Sequence, residues 1–89
     1  MGLEYKIETY DAARTGWRDV LRKRPDFLFE EDGFCHWGPA REQPLISIKE
    51  EVDHLYLCQH VASPESDALL GSLIRRLLSL NDHVVISEL

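Results

Sequence analysis

Three residues with reactive side chains alternate along one short segment, His54-Leu55-Tyr56-Leu57-Cys58-Gln59-His60-Val61. Read as a strand, it puts His54, Tyr56, Cys58 and His60 on one face and Leu55, Leu57 and Val61 on the other. Imidazole and thiol groups on one face suggest two chemistries. One is a metal centre. The other is a thiol nucleophile with a neighbouring base.

Strand geometry limits the first. At about 3.3 Å per residue, His54 lies roughly 13 Å from Cys58 and roughly 20 Å from His60. Those pairs cannot share an ion whose bonds are about 2.0–2.3 Å long. Cys58 and His60, about 7 Å apart along the strand, can. The chain has no C-x-x-C pair and no H-x-x-x-H pair, so no metal or cofactor is expected. For the second chemistry, Cys58 precedes a helix start at Ser63, and a helix start can lower a thiol pKa. Nothing in the sequence supplies a group to orient His60. A strand cysteine acts more often as a small hydrophobe than as a nucleophile.

The remaining reading is a binding surface. A sheet face not covered by helices is commonly polar. Tyrosine and histidine are suited to protein contacts, with an apolar body and a polar tip. The candidate binding residues are His36, Tyr56, Cys58 and His60, with acidic Glu50, Glu51 and Asp53 at the rim.

Other motifs are missing or diluted. The sequence has no G-x-G-x-x-G, P-loop, G-x-S-x-G or H-E-x-x-H pattern, so no catalytic residue is assigned. Arg14, Arg18 and Arg22-Lys23-Arg24 form a basic stripe, but Asp11, Asp19 and Asp26 interrupt it. The chain carries a formal net charge of −6. A negative long-range field repels phosphate, which disfavours nucleic acid and anionic membrane as partners.

The elements that must position these groups follow from the apolar pattern. Leu3 to Thr9 alternates as a half-buried strand. Asp11 can cap a helix to about Arg24, closed by Pro25, with Ala13, Trp17, Val20 and Leu21 as its apolar stripe. Gly16 sits inside that helix at a cost of about 1 kcal/mol relative to alanine, which a close approach to the sheet would explain. Phe27–Glu30 and Phe34–Trp37 flank Glu31-Asp32-Gly33 and read as a hairpin. A two-residue turn would pair Phe29 with His36. A three-residue loop would pair Phe29 with Cys35 and Phe27 with Trp37, and it is preferred because it gathers the apolar side chains on one face. It also makes Cys35 a core residue and turns His36 outward.

Residues 45–50 and 54–61 read as a second hairpin, with Ile48 opposite Leu55 and Ile46 opposite Leu57. Ser63-Pro64-Glu65 starts a helix running to about Leu80, with Asn81 in a left-handed cap. The apolar residues of that helix, from Leu69 to Leu80, cover about half its circumference and offer a homodimer surface. His83 to Leu89 reads as a last strand.

Eighty-nine residues make a single domain, spanning 1–89. The expected fold is a two-layer α+β domain in the order β-α-β-β-β-β-α-β. Its sheet is mostly antiparallel and both helices pack on one face. Two cysteines build no disulfide framework, and no apolar run is long enough to span a membrane. The N-terminus holds no signal peptide, so a cytoplasmic protein is expected. The expected function is non-enzymatic binding of another protein, as an inhibitor, an immunity-type protein or an adaptor. The alternative is a small thiol-dependent enzyme or metal-binding protein centred on Cys58 and His60.

Overall fold

A computed structural model describes residues 2–9, 16–81 and 83–89. The elements are β1 (Leu3–Glu8), α1 (Trp17–Arg22), β2 (Phe27–Glu31), β3 (Phe34–Trp37), β4 (Ile46–Glu50), β5 (Leu55–Gln59), α2 (Pro64–Leu78) and β6 (Val85–Glu88). The six strands form one antiparallel sheet in the order β2-β3-β4-β5-β1-β6. This is the α+β architecture expected from the pattern. Residues 11–15 of the expected helix from Asp11 to about Arg24 lie outside the described residues.

The helices cover one face of the sheet. Cys35, Trp37, Ile46, Ile48, Leu55, Leu57 and Ile7 point into the core there. They meet Trp17 and Leu21 of α1 and Leu69, Leu73 and Leu77 of α2. The Trp37 indole N–H donates to the Leu21 carbonyl at 3.0 Å, so this ring both fills the core and satisfies a carbonyl near the end of α1. Arg24 clamps Asp26 through two bonds, at 2.9 and 3.0 Å, and donates to Ser72 of α2 at 2.6 Å.

The β2–β3 hairpin differs from the preferred reading. It uses the two-residue turn, with Asp32 at φ 54° and Gly33 at φ 85°. Those signs define the primed turn whose twist matches paired strands, and Asp-Gly is among its favoured sequences. Phe29 therefore faces His36 and Glu30 faces Cys35. A bulge between Phe27 and Phe29 then restores Phe27 opposite Trp37, where the two rings meet edge to face at 5.8 Å. The turn set the register locally, and the bulge recovered the core contact. Phe27 stays with the core and Phe29 goes to the other face.

The β4–β5 hairpin is offset by two residues from the expected register. Ile48 pairs with Leu57, Ile46 with Gln59 and Glu50 with Leu55. A slip of two keeps every side chain on its face, because the side-chain period is two. It does set Gln59, already on the core face, opposite Ile46, where it is fully buried. Its amide donates to Ser66 Oγ at 2.8 Å and Asp67 Oδ1 at 2.7 Å, which ties β5 to the first turn of α2. Val61, expected to be apolar-facing, is exposed beyond the strand end.

The start of α2 follows the sequence. Ser63 Oγ accepts the Ser66 N–H at 3.1 Å, and Pro64 holds the first helical position. Its end does not. Asn81 takes no left-handed backbone, and its side-chain amide donates to the Leu77 carbonyl at 2.9 Å. Gly16 immediately precedes α1, and an added Cβ there meets nothing within 4 Å. Close packing is thus not its reason.

Replacing Gln59 by alanine removes both amide bonds and leaves buried Ser66 without that partner. The expected cost is about 1–3 kcal/mol, read as a lower urea midpoint with an unchanged slope.

Candidate functional site

The sheet face opposite the helices is organised in two cross-strand rows. Reading from β2 to β1, the first is Phe29, His36, Ser47, Cys58, Glu4. The second is Glu31, Phe34, Lys49, Tyr56, Lys6, and it continues to Ser87 on β6. His60, just past β5, lies diagonally beside Ser47.

Ser47 is the centre of the arrangement. It is 1% exposed, and its hydroxyl lies 2.6 Å from His36 Nδ1 and 2.7 Å from His60 Nε2. A hydroxyl carries one proton, so between two neutral rings it donates to one and accepts from the other. His60 Nδ1 in turn lies 3.7 Å from Cys58 Sγ. Four side chains from three strands are thereby joined in sequence.

Aromatic contacts extend this unit sideways. Phe29 stacks on His36 with centroids 4.4 Å apart, and Phe34 lies 6.1 Å from both His36 and Tyr56. Arg41 sits over Phe29 at 4.3 Å and Lys49 over Phe34 at 5.3 Å. The Tyr56 hydroxyl donates to Glu4. Phe34, His36, Ser47, Tyr56, Cys58 and His60 line a shallow depression of about 190 Å³.

The electrostatics argue against an activated nucleophile. Burial pushes the Cys58 thiol above its ordinary pKa, with the Glu4 carboxylate adding to this and the neighbouring Tyr56 hydroxyl opposing it. Gly2 covers the thiol: a Cβ there would stand 3.0 Å from Cys58 Sγ. Tyr56 is also pushed well up, first by its bond to Glu4 and then by burial. His36 moves the other way. Burial and the nearby His60 lower its pKa, and Glu31 opposes them.

The expected site residues divide. His36, Tyr56, Cys58 and His60 come together on the open face. Glu50 does not join them: it turns to the helix side, where its carboxylate accepts the Trp17 indole N–H at 3.0 Å. The two-residue offset of the hairpin puts Glu50 in the strand instead of the loop. Glu51 and Asp53 do lie in the loop, where Asp53 holds His54 Nδ1 at 2.7 Å and is itself made more acidic by that bond. Among the described residues, no three histidine, cysteine or acidic side chains converge as metal ligands.

The basic stripe is largely neutralised. Arg18 and Arg22 both pair with Glu30, and Arg24 pairs with Asp26. Arg14 lies outside the described residues. On α2, Leu69, Leu73 and Leu77 are buried, while Leu78 is exposed. No described helix is long and apolar enough to cross a membrane.

Sequence reasoning missed Phe29, Phe34, Arg41 and the bridging role of Ser47. The Asp32-Gly33 dipeptide was the available signal for Phe29, since the turn it favours sends that ring to the open face. Ser47 gave a weaker signal, a small polar residue between two isoleucines. No protein-family model, curated protein or solved structure matches the chain.

His36 supplies a pH test. Its folded pKa lies below its unfolded value near 6.5, so the unfolded chain takes up this proton first. The stability it contributes is complete above about pH 6.5 and falls as pH drops through that value toward the folded pKa. Urea unfolding at about pH 7.5 and 5.5 will show a loss for the natural chain and a smaller one for His36→Gln.

Proposed function

We propose that the protein is a non-enzymatic binding module that engages another protein through the open sheet face. The contact set is His36, Tyr56 and His60, joined by Phe29 and Phe34. Arg41 and Lys49 stand beside the rings, and the Glu51 and Asp53 loop forms an acidic rim.

One observation carries this reading. Five aromatic or imidazole rings lie side by side, half-buried, on the face opposite both described helices. Ser47 and the ring stacking restrain them before any partner arrives, which lowers the entropy cost of binding. Aromatic side chains and arginine are also the types enriched where proteins meet. The mixture of Lys6, Arg41 and Lys49 with Glu4 and Glu31 suits a protein surface of mixed charge. A net charge of −6 disfavours a phosphate backbone. The thiol alternative is not favoured, because burial raises Cys58 instead of activating it.

Affinity capture from the native host, with the natural chain and Phe34→Ala/Tyr56→Ala side by side, tests the proposal. The expected result is a protein retained by the first and lost by the second, with affinity for the purified partner falling about tenfold or more, as for removal of a central aromatic anchor. Equal retention by both chains would sink it, as would retained nucleic acid in place of protein.

A further inference from the structure

The two edges of the sheet are built differently. β2 is guarded. A bulge interrupts it between Phe27 and Phe29, and Arg18 and Arg22 reach across from α1 to Glu30. Bulges and charges on an edge turn away an incoming strand. Among the described residues β6 carries no bulge, and its only charged residue is Glu88 at its end. It pairs with β1 in unbroken register from Tyr5–Glu88 to Glu8–Val85, and it contains neither proline nor lysine. Val85, Ile86 and the following Leu89 are all exposed.

The phase of its free hydrogen bonds is fixed. The Leu89 N–H donates to the Glu4 carbonyl at 2.9 Å. In an antiparallel ladder alternate residues bond to the same neighbour. Val85, Ser87 and Leu89 thus turn their backbone groups to β1, and Ile86 and Glu88 turn theirs outward.

We infer that β6 is a homodimer edge, pairing antiparallel with β6 of a second copy so that Ile86 lies opposite Ile86 of that copy. The outward phase restricts which residues can share the axis. Centring on Ile86 stacks apolar on apolar. Centring on Glu88 would oppose two carboxylates, which is unfavourable. Centring on Ser87 would set each Ile86 against a Glu88. A strand paired antiparallel with its own copy closes after two molecules, whereas β6 on β2 would propagate into a filament. The guarded edge of β2 blocks that route. The apolar self-match at Ile86 and its closure after two molecules make a second copy the occupant, and the inference stands apart from the open-face reading.

The interface is short, so association is expected to be weak, with the mass rising toward the dimer between about 10 µM and 1 mM. Sedimentation equilibrium of the natural chain and of Ile86→Pro measures this. Proline removes an outward N–H that the β1 ladder does not use, so it is tolerated on the free edge. The natural chain should dimerise, and Ile86→Pro should stay monomeric with an unchanged circular dichroism spectrum. A second arm does not depend on that variant folding. In a Cys58→Ser background, Ile86→Cys should oxidise to a covalent dimer, because directly opposed residues lie within disulfide reach. Ser87→Cys should not. A monomeric natural chain at about 1 mM overturns the inference. So does a dimer that survives in Ile86→Pro, or crosslinking through Ser87→Cys alone.

Discussion

A six-stranded sheet has two faces, and the two described helices lie against one of them. That constraint orders the rest of the molecule. The central strands must send a row of apolar residues to the helix side, and the core of Trp37, Ile46, Ile48, Leu55 and Leu57 is the result. The opposite face must be compatible with water and still hold its own side chains. It does so through the serine bridge, the stacked rings and the cations laid over them. Burying Ser47 under two imidazoles is tolerable because both contacts are hydrogen bonds.

The hairpin between β2 and β3 shows how local and global demands were reconciled. The Asp32-Gly33 turn dictates one register and the core contact of Phe27 with Trp37 requires another. The bulge satisfies both. Its by-product is a phenylalanine delivered to the open face, and that ring gives His36 its stacking partner. The aromatic character of the face thus begins as a consequence of turn chemistry.

Much of the fold was legible because alternation is a strong signal. Leu3 to Thr9 and residues 54–61 showed their faces directly, and Ser63-Pro64-Glu65 marked the start of α2 within a residue. Register was harder. Ile48 opposite Leu55 and Ile48 opposite Leu57 bury the same faces, so periodicity cannot separate them. That ambiguity is what hid the site. In the expected register Ser47 would oppose Tyr56, but the true one sets it against Cys58 and within reach of His60. It is also what put Glu50 in a loop instead of beside Trp17. A face can be read from one strand, but a constellation needs the offset between strands, which tertiary packing and loop geometry decide together.

The shared proton of Ser47 has one more consequence. If the hydroxyl points to His36 Nδ1, that ring carries its hydrogen on Nε2, and His60 leaves Nδ1 bare toward the Cys58 thiol. If it points to His60 Nε2, the order reverses along the whole line, and His36 Nε2 becomes a bare lone pair. The two arrangements differ only in rotor and tautomer, with no heavy atom displaced. The same ring edge can therefore offer a hydrogen to one partner group and accept one from another. Rigid in shape, the face is ambivalent in polarity, and a contacting residue would choose its sense by turning over a relay that ends at a thiol two strands away.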